Sequence, residues 1–141
     1  MNPINVLVTM PFGEERLNRM RAVSPRLNVT QAQSDSADYS QVDVLYTWMP
    51  PRELDRAPHL KWVQLHLAGV DMLSAHPIYA STIPLTTTSG VHAASAAEYA
   101  LTQILALAHH VPRMLDWQQK GTWPPDEQRW PIFVPSEVRS T

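Results

Sequence analysis

Short apolar runs rich in β-branched residues alternate along this chain with stretches of helical character, and this alternation limits the fold more than any other feature. Strands that are joined through helices build a parallel sheet with helices on its faces. The first run is apolar almost throughout, so we expect its strand to be buried on both sides. The five predicted strands cover residues 4–10, 28–31, 42–47, 62–65 and 84–88.

The connections between these strands indicate how the sheet is wound. Residues 14–23 place Leu17 and Met20 three positions apart among arginines, which predicts an amphipathic helix. Between the third and fourth strands, Pro50 and Pro51 suit the start of a helix and Pro58 suits its end. The predicted fold is therefore α/β: a flavodoxin-like, doubly wound parallel five-stranded sheet of order 2-1-3-4-5. Such sheets bind ligands at the carboxyl ends of their strands.

A long apolar helix and a proline-rich tail follow the predicted sheet. The helix is expected over about residues 91–118, with Ser89 as its cap and Glu98 as an acid in its first turn. Apolar residues cover most of its circumference, which predicts a core helix, a homodimer seam, or a helix shared with a second domain. The tail over residues 120–141 is rich in tryptophan and proline, and we expect an extended arm because proline disfavours helix.

Charge and cysteine content exclude several classes of protein. The net charge of −2 and the pI near 6.3 do not provide the excess of positive charge that is typical of proteins that bind nucleic acid. The absence of cysteine excludes disulfides and thiolate catalysis and is typical of the cytoplasm. The apolar run near the N-terminus is too short to span a bilayer. We therefore expect a cytoplasmic protein with neither nucleic acid nor a membrane as its partner.

One of only four glycines lies directly after the fourth strand, in the turn LHLAGVD over residues 65–71. A glycine here lets the backbone turn sharply, and it also lets another group approach the backbone N–H groups closely. From the residues alone, both a plain strand-to-helix turn and a ligand-binding turn stay open.

Three ordered motifs resemble a known family. LKWVQLHLAGVDML, IPLTTTSGVHAASAAEYALTQILALAHH and WQQKGTWP are similar to the substrate-domain half of the D-isomer-specific 2-hydroxyacid dehydrogenases, over about residues 42–124. The resemblance implies a parent enzyme that interconverts D-2-hydroxy acids and 2-oxo acids with NAD or NADP. It also implies that residues 1–119 form the substrate (catalytic) domain and that residues 120–141 lead to a dinucleotide-binding domain absent from this chain.

The same resemblance implies the residues of the site. Backbone N–H groups of the LHLAGVD turn would bind the substrate carboxylate, and the loop after the third strand would wall the pocket. A histidine at the start of the long helix would add a polar contact, and small residues after it would lie against the nicotinamide. The implied substrate-binding residues are Trp48, Met49, Ala68, Gly69, Val70, Asp71 and His92, and the implied cofactor-binding residues are Ala94, Ser95 and Ala96. A Trp48 that merely caps the sheet edge stays an equal alternative.

The chain departs from the family pattern because it has no GxGxxG fingerprint. It ends at EVRST, near the place where a cofactor domain would begin, and the family's catalytic arginine, acid and histidine lie in that later part. We therefore expect no catalytic residue in this chain, no stable binding of NAD or NADP, and no activity of the chain alone. Adjacent His109 and His110 diverge on a helix, so no metal site is expected.

Two other classes of protein are alternatives to this interpretation. A receiver or flavin module is disfavoured because the ends of the first and third strands read TMPFGEE and YTWMPP. A standalone flavodoxin-like module, which binds a small ligand or dimerises without enzymatic activity, stays open. In either case we expect a homodimer in which the long helices and tails of two chains cover one another.

Overall fold

The computed structural model describes residues 2–133 and divides into two compact units, one that ends at Val91 and one that begins at His92. Within these residues, the first unit holds a five-stranded sheet and one α-helix, and the second holds three α-helices. In chain order the elements are β1 (Ile4–Val8), α1 (Glu14–Arg21), β2 (Leu27–Gln31), β3 (Val44–Thr47), β4 (Trp62–Leu65), β5 (Leu85–Thr86), α2 (Ala93–Ala108), α3 (Val111–Gln119) and α4 (Asp126–Phe133). No helix in the described part is long and apolar enough to cross a membrane.

All five strands are parallel and lie in the order β2-β1-β3-β4-β5, as predicted. Val6 of β1 lies between Val29 of β2 and Val44 of β3, and Leu45 of β3 faces Val63 of β4. The order of the strands reverses at β1, where successive connections run in opposite directions along the sheet. The α/β fold expected from the sequence is confirmed.

Side chains alternate between the two faces of the sheet and build two cores. On one face, Val6 and Val8 of β1 pack with Leu17 of α1, which confirms the amphipathic character of that helix. On the other face, Leu45 and Leu65 are fully buried under the connecting segments. Because consecutive residues of β1 enter opposite cores, this strand is buried on both sides as predicted.

The segment between β3 and β4 differs from the prediction. It contains a 3-10 helix of three residues, Leu54–Arg56, instead of an α-helix between Pro51 and Pro58. The segment between the two prolines is short, and a single tighter turn suits so short a segment.

The predicted long helix over residues 91–118 is corrected to two helices, α2 and α3. His110 between them has φ of 52°, in the left-handed region, and Pro112 lies in the first turn of α3. In a continuous helix the ring of Pro112 would clash with the carbonyl of Ala108, and that carbonyl would also lose its N–H partner. The break therefore follows from one proline.

Two predicted roles at the start of this segment are also wrong. Because α2 begins at Ala93, Ser89 cannot be its cap, and the capping position belongs to His92, whose side chain makes no capping hydrogen bond. Glu98 falls in the second turn of α2, beyond the reach of the favourable field at a helix N-terminus.

The tail contains a helix where an extended arm was predicted. Pro124 and Pro125 directly precede α4, where the missing N–H groups of proline cost nothing. The carbonyl of Pro125 accepts hydrogen bonds from the N–H groups of Gln128 and Arg129, at 3.0 and 3.2 Å. Asp126 also pairs with Arg129. The part of the predicted arm after residue 133 lies outside the described residues.

Candidate functional site

Three connections meet at the carboxyl edge of the sheet, after β1, β3 and β4. The hydroxyls of Thr9 and Thr47 are 2.7 Å apart and link the first two connections. The N–H group of His66 donates to the carbonyl of Thr47 at 2.8 Å and links the second to the third. Ligands of doubly wound sheets bind at this edge, which makes it the candidate site of the first unit.

The loop after β4 presents backbone N–H groups that donate to no other residue in the described part of the chain. Four successive N–H groups donate to no partner within residues 2–133, namely those of Ala68, Gly69, Val70 and Asp71. The loop is nevertheless held at both ends, because Leu67 accepts from Thr88 at 2.9 Å and Val70 accepts from Leu73 at 2.8 Å. A run of free amides at a surface is able to bind an anion, which is the role that the family resemblance implies for this turn.

At Gly69 the backbone conformation does not demand glycine, and the one close neighbour of the position is a flexible side chain. Its φ lies outside the left-handed region, so the turn does not use the conformational freedom that distinguishes glycine. A Cβ at this position would lie only 2.8 Å from Oδ1 of Asp71, which is closer than real Cβ contacts. Because residue 69 has no side chain, the carboxylate of exposed Asp71 fits into the space beside these N–H groups, and this flexible side chain can rotate out of it.

The loop after β3 stands beside this turn. Trp48 is half exposed, with its ring 5.7 Å from the ring of His66, whereas Met49 packs against the larger core. The hydroxyl of Thr47 donates to the carbonyl of Met49 at 2.9 Å and fixes the start of the loop. Of Trp48 and Met49, Trp48 is therefore the residue whose side chain borders the turn after β4.

Tyr46 and His66 are site residues that the sequence analysis missed. The hydroxyl of Tyr46 lies 2.7 Å from Nδ1 of His66, and the ring of Phe12 packs 5.4 Å from Tyr46 and 6.0 Å from His66. Burial raises the pKa of the Tyr46 hydroxyl, partly offset by the nearby charge of Arg16, so this hydroxyl keeps its proton at neutral pH. The sequence feature that could have pointed to this pair is the histidine within the LHLAGVD turn, which is His66.

A second histidine ties the loop after β3 to the segment that follows the turn. His76 is buried, its Nδ1 accepts from the N–H of Ile78 at 3.1 Å, and its Nε2 lies 3.2 Å from the carbonyl of Pro50. Since Nδ1 is the acceptor, Nε2 carries the proton and donates it to Pro50. Both nitrogens are satisfied, which indicates a structural role that fixes the loop of Trp48.

His76→Ala is expected to lower the free energy of unfolding by about 2 to 3 kcal/mol, because it removes a buried ring and leaves Pro50 and Ile78 without partners. Urea denaturation measures the change. His59→Ala is the matched control, since His59 is exposed, and it is expected to change stability by no more than about 0.5 kcal/mol. Equal effects of the two substitutions would contradict the structural role of His76.

The remaining predicted site residues belong to the second unit. His92 precedes α2, and Ala94, Ser95 and Ala96 occupy the exposed first turn of that helix. The first N–H groups of a helix have no partner within it, and small side chains leave them accessible. No group of three or more histidine, aspartate or glutamate side chains that could hold a metal ion occurs in the described part of the chain.

No protein-family model and no curated protein matches this chain. Solved structures do match it. The chain is 26% identical to a D-isomer specific 2-hydroxyacid dehydrogenase family protein from Klebsiella pneumoniae 342, with a TM-score of 0.61 over 88% of this chain and 40% of that one.

Two further structures match less closely in sequence. A D-isomer specific 2-hydroxyacid dehydrogenase from Xanthobacter autotrophicus Py2, in complex with NADPH and MES, is 24% identical, with a TM-score of 0.67 over 89% of this chain and 42% of that one. An NADPH-dependent glyoxylate/hydroxypyruvate reductase from Sinorhizobium meliloti, in complex with NADP and sulfate, is 23% identical, with a TM-score of 0.63 over 86% and 40%. The chain thus spans about 40% of the length of these proteins. The resemblance seen in the motifs is confirmed.

Proposed function

We propose that this chain is the substrate-domain portion of an NAD- or NADP-dependent oxidoreductase that interconverts D-2-hydroxy acids and 2-oxo acids. The observation that carries the proposal is the run of four free N–H groups at residues 68–71, at the edge of the sheet where such folds bind ligands. Two similar structures hold NADPH or NADP, which supports a nicotinamide cofactor for the longer protein. The absence of cysteine supports a cytoplasmic location.

The turn after β4 would bind the carboxylate of the substrate through backbone amides. The N–H groups of Gly69, Val70 and Asp71 would donate to the carboxylate oxygens, and Ala68 would shape the approach. The side chain of Asp71 must first rotate away, because its own negative charge lies beside Gly69 in the free chain. Trp48 and Met49 would form the wall of the pocket.

The second unit would supply contacts near the cofactor. Ala94, Ser95 and Ala96 are exposed and small, so the start of α2 leaves room for a flat ring, which fits the nicotinamide. When bound, the nicotinamide would supply the hydride. This chain would bind and orient the acid, with His92 as an added polar contact, and residues 120–141 would lead toward the dinucleotide-binding domain.

Steady-state assays of the longer protein test the proposal. The protein is expected to reduce at least one small 2-oxo acid with NADH or NADPH and to oxidise the matching D-2-hydroxy acid but not its L-isomer. Failure with every acid and both cofactors would contradict it. A gene whose reading frame stops at Thr141 would instead favour the standalone small-ligand-binding or dimerisation module.

The proposal includes a homodimer formed through α2. Large apolar side chains of this helix are exposed by about half or more, and a patch of this kind rarely persists on a monomer. They are Tyr99, Leu101, Ile104, Leu105 and Leu107. A second copy of α2 would bury the same patch on both chains, as a two-fold interface does.

Light scattering or sedimentation at micromolar concentration is expected to give the mass of a dimer. Leu101→Glu places a charge within the patch and is expected to shift the mass toward the monomer. Val23→Glu introduces the same charge at an exposed apolar residue outside α2, and it is expected to leave the mass unchanged. A monomer mass at every concentration would contradict the dimer.

A further inference from the structure

Tyr46 and His66 form a polar pair at the carboxyl edge of the sheet that the binding scheme above leaves without a role. Tyr46 is the last but one residue of β3, and His66 directly follows β4. A hydrogen bond of 2.7 Å joins Oη of Tyr46 to Nδ1 of His66. The rings of Phe12 and Trp48 pack on His66, at centroid distances of 6.0 and 5.7 Å, and restrain its orientation. A half-buried ring held on several sides in this way is already ordered before any ligand arrives.

The hydrogen bond also selects the tautomer of His66. A phenol is a better donor than a neutral imidazole N–H, and an imidazole nitrogen is a better acceptor than a phenol oxygen. Tyr46 therefore donates to Nδ1, and the proton of the neutral ring resides on Nε2. Within residues 2–133, Nε2 of His66 has no hydrogen-bond partner, in contrast to Nε2 of His76, which donates to Pro50.

The charge around this pair suits a negatively charged ligand. The guanidinium of Arg16 lies 5.5 Å from the centre of the Phe12 ring and makes no ion pair within the described part of the chain. Burial raises the pKa of the Tyr46 hydroxyl, and the positive charge of Arg16 offsets part of that increase. His66 is only two residues from Ala68, where the run of free amides begins, and its ring contacts Trp48 of the neighbouring loop.

We propose that His66 is a second substrate contact, which donates from Nε2 to an oxygen of the bound acid other than the carboxylate oxygens held by the amides, and that Tyr46 is its positioning residue. This inference rests on the proposed function, because it takes the acid to be bound at residues 68–71. The ligand class is a small acid with oxygen on two adjacent carbons. A simple monocarboxylate has no oxygen on the carbon next to its carboxylate, so His66 would add nothing to its affinity.

Imidazole ¹⁵N spectra of the 141-residue chain test the positioning role without any ligand. Wild-type His66 is expected to carry its proton on Nε2 at a pH where the ring is neutral. Tyr46→Phe keeps the ring packing but removes the donor, and it is expected to give a mixture of tautomers. A proton on Nδ1 in the wild-type chain, or spectra that Tyr46→Phe leaves unchanged, would overturn the role of Tyr46.

Titration of the same chain with oxalate and with acetate tests the contact. Oxalate is expected to shift both the amide signals of residues 68–71 and the ring signals of His66, whereas acetate shifts the amide signals alone. His66→Leu is expected to raise the Kd of oxalate about tenfold and to leave the Kd of acetate unchanged. His66→Gln, which retains an N–H donor of similar reach, is expected to recover most of the loss.

The outcomes separate this inference from the proposed function. If oxalate shifts the amides of residues 68–71 but His66 does not respond, the second contact is overturned and the carboxylate site stands. If oxalate shifts neither set of signals, both the second contact and the proposed site are overturned. Equal losses of oxalate binding in His66→Leu and His66→Gln would also overturn the donor role, since only packing would then explain them.

Discussion

The 141-residue chain alone is expected to show no oxidation of D-2-hydroxy acids and no reduction of 2-oxo acids, with either NADH or NADPH. Hydride transfer needs a bound nicotinamide and a group that exchanges a proton with the substrate oxygen. A GxGxxG turn needs three glycines within six positions, but the four glycines are far apart, at Gly13, Gly69, Gly90 and Gly121. The chain therefore has no fingerprint loop for a dinucleotide.

Absorbance of the reduced nicotinamide measures the activity, with the longer protein assayed beside the chain as the positive control. Gly69→Val in the 141-residue chain identifies contamination, because activity of a host dehydrogenase in the sample would not depend on this residue. Turnover that appears in the wild-type chain and disappears in Gly69→Val would contradict the expectation. It would mean that this chain assembles a complete active site by itself.

The strands at the centre of the sheet could be predicted because their apolar side chains are buried. Val8, Leu45 and Val63 are fully inaccessible, so a run of apolar β-branched residues indicates a strand without further context. Their ends could not be predicted in the same way. Apolar Met10 extends the first run, but β1 ends at Val8 because its pairing with β2 and β3 stops there. Pairing depends on distant segments, which a local pattern does not contain.

The errors in the helices have local causes. Pro112 already marks the break between α2 and α3, but the apolar pattern continues through it and suggested one helix. Pro124, Pro125 and Pro131 suggested an extended tail, but proline is favourable immediately before a helix, and α4 nevertheless continues through Pro131 in its last turn. For Pro112, Pro124 and Pro125 the position of the proline relative to the helix explains the outcome, whereas Pro131 lies inside α4 and is not explained in this way.

The candidate site was partly visible in the sequence. The turn at residues 68–71 could be located because it directly follows a strand and its free amides need no particular side chain. The pair of Tyr46 and His66 could not be located, because the two residues are twenty positions apart and meet only when β3 and β4 pair in register. Contacts of this kind follow from tertiary structure alone.

Gly69→Val in the longer protein is expected to lower kcat/KM for 2-oxo acids about thirtyfold, mostly through KM, while the fold is preserved. A thirtyfold loss corresponds to about 2 kcal/mol of lost binding. The backbone of Gly69 avoids the left-handed region, so valine causes no strain from φ, and the side chain of exposed Asp71 can rotate away from the new Cβ. The branched side chain would then fill the space beside the free N–H groups.

Substitutions of increasing size at Gly69 distinguish an effect on the substrate-binding space from an effect on the stability of the fold. Gly69→Ala is expected to have a smaller effect than Gly69→Val, because it adds one carbon to the same space. Asp71→Asn keeps the amide and removes a negative charge beside Gly69, so its KM is expected to be no higher than that of the wild-type protein. Thermal unfolding of each variant is the control for folding. If Gly69→Val lost stability in proportion to its activity, or if Asp71→Asn weakened binding as strongly, the turn would serve the fold and its amides would not bind the substrate.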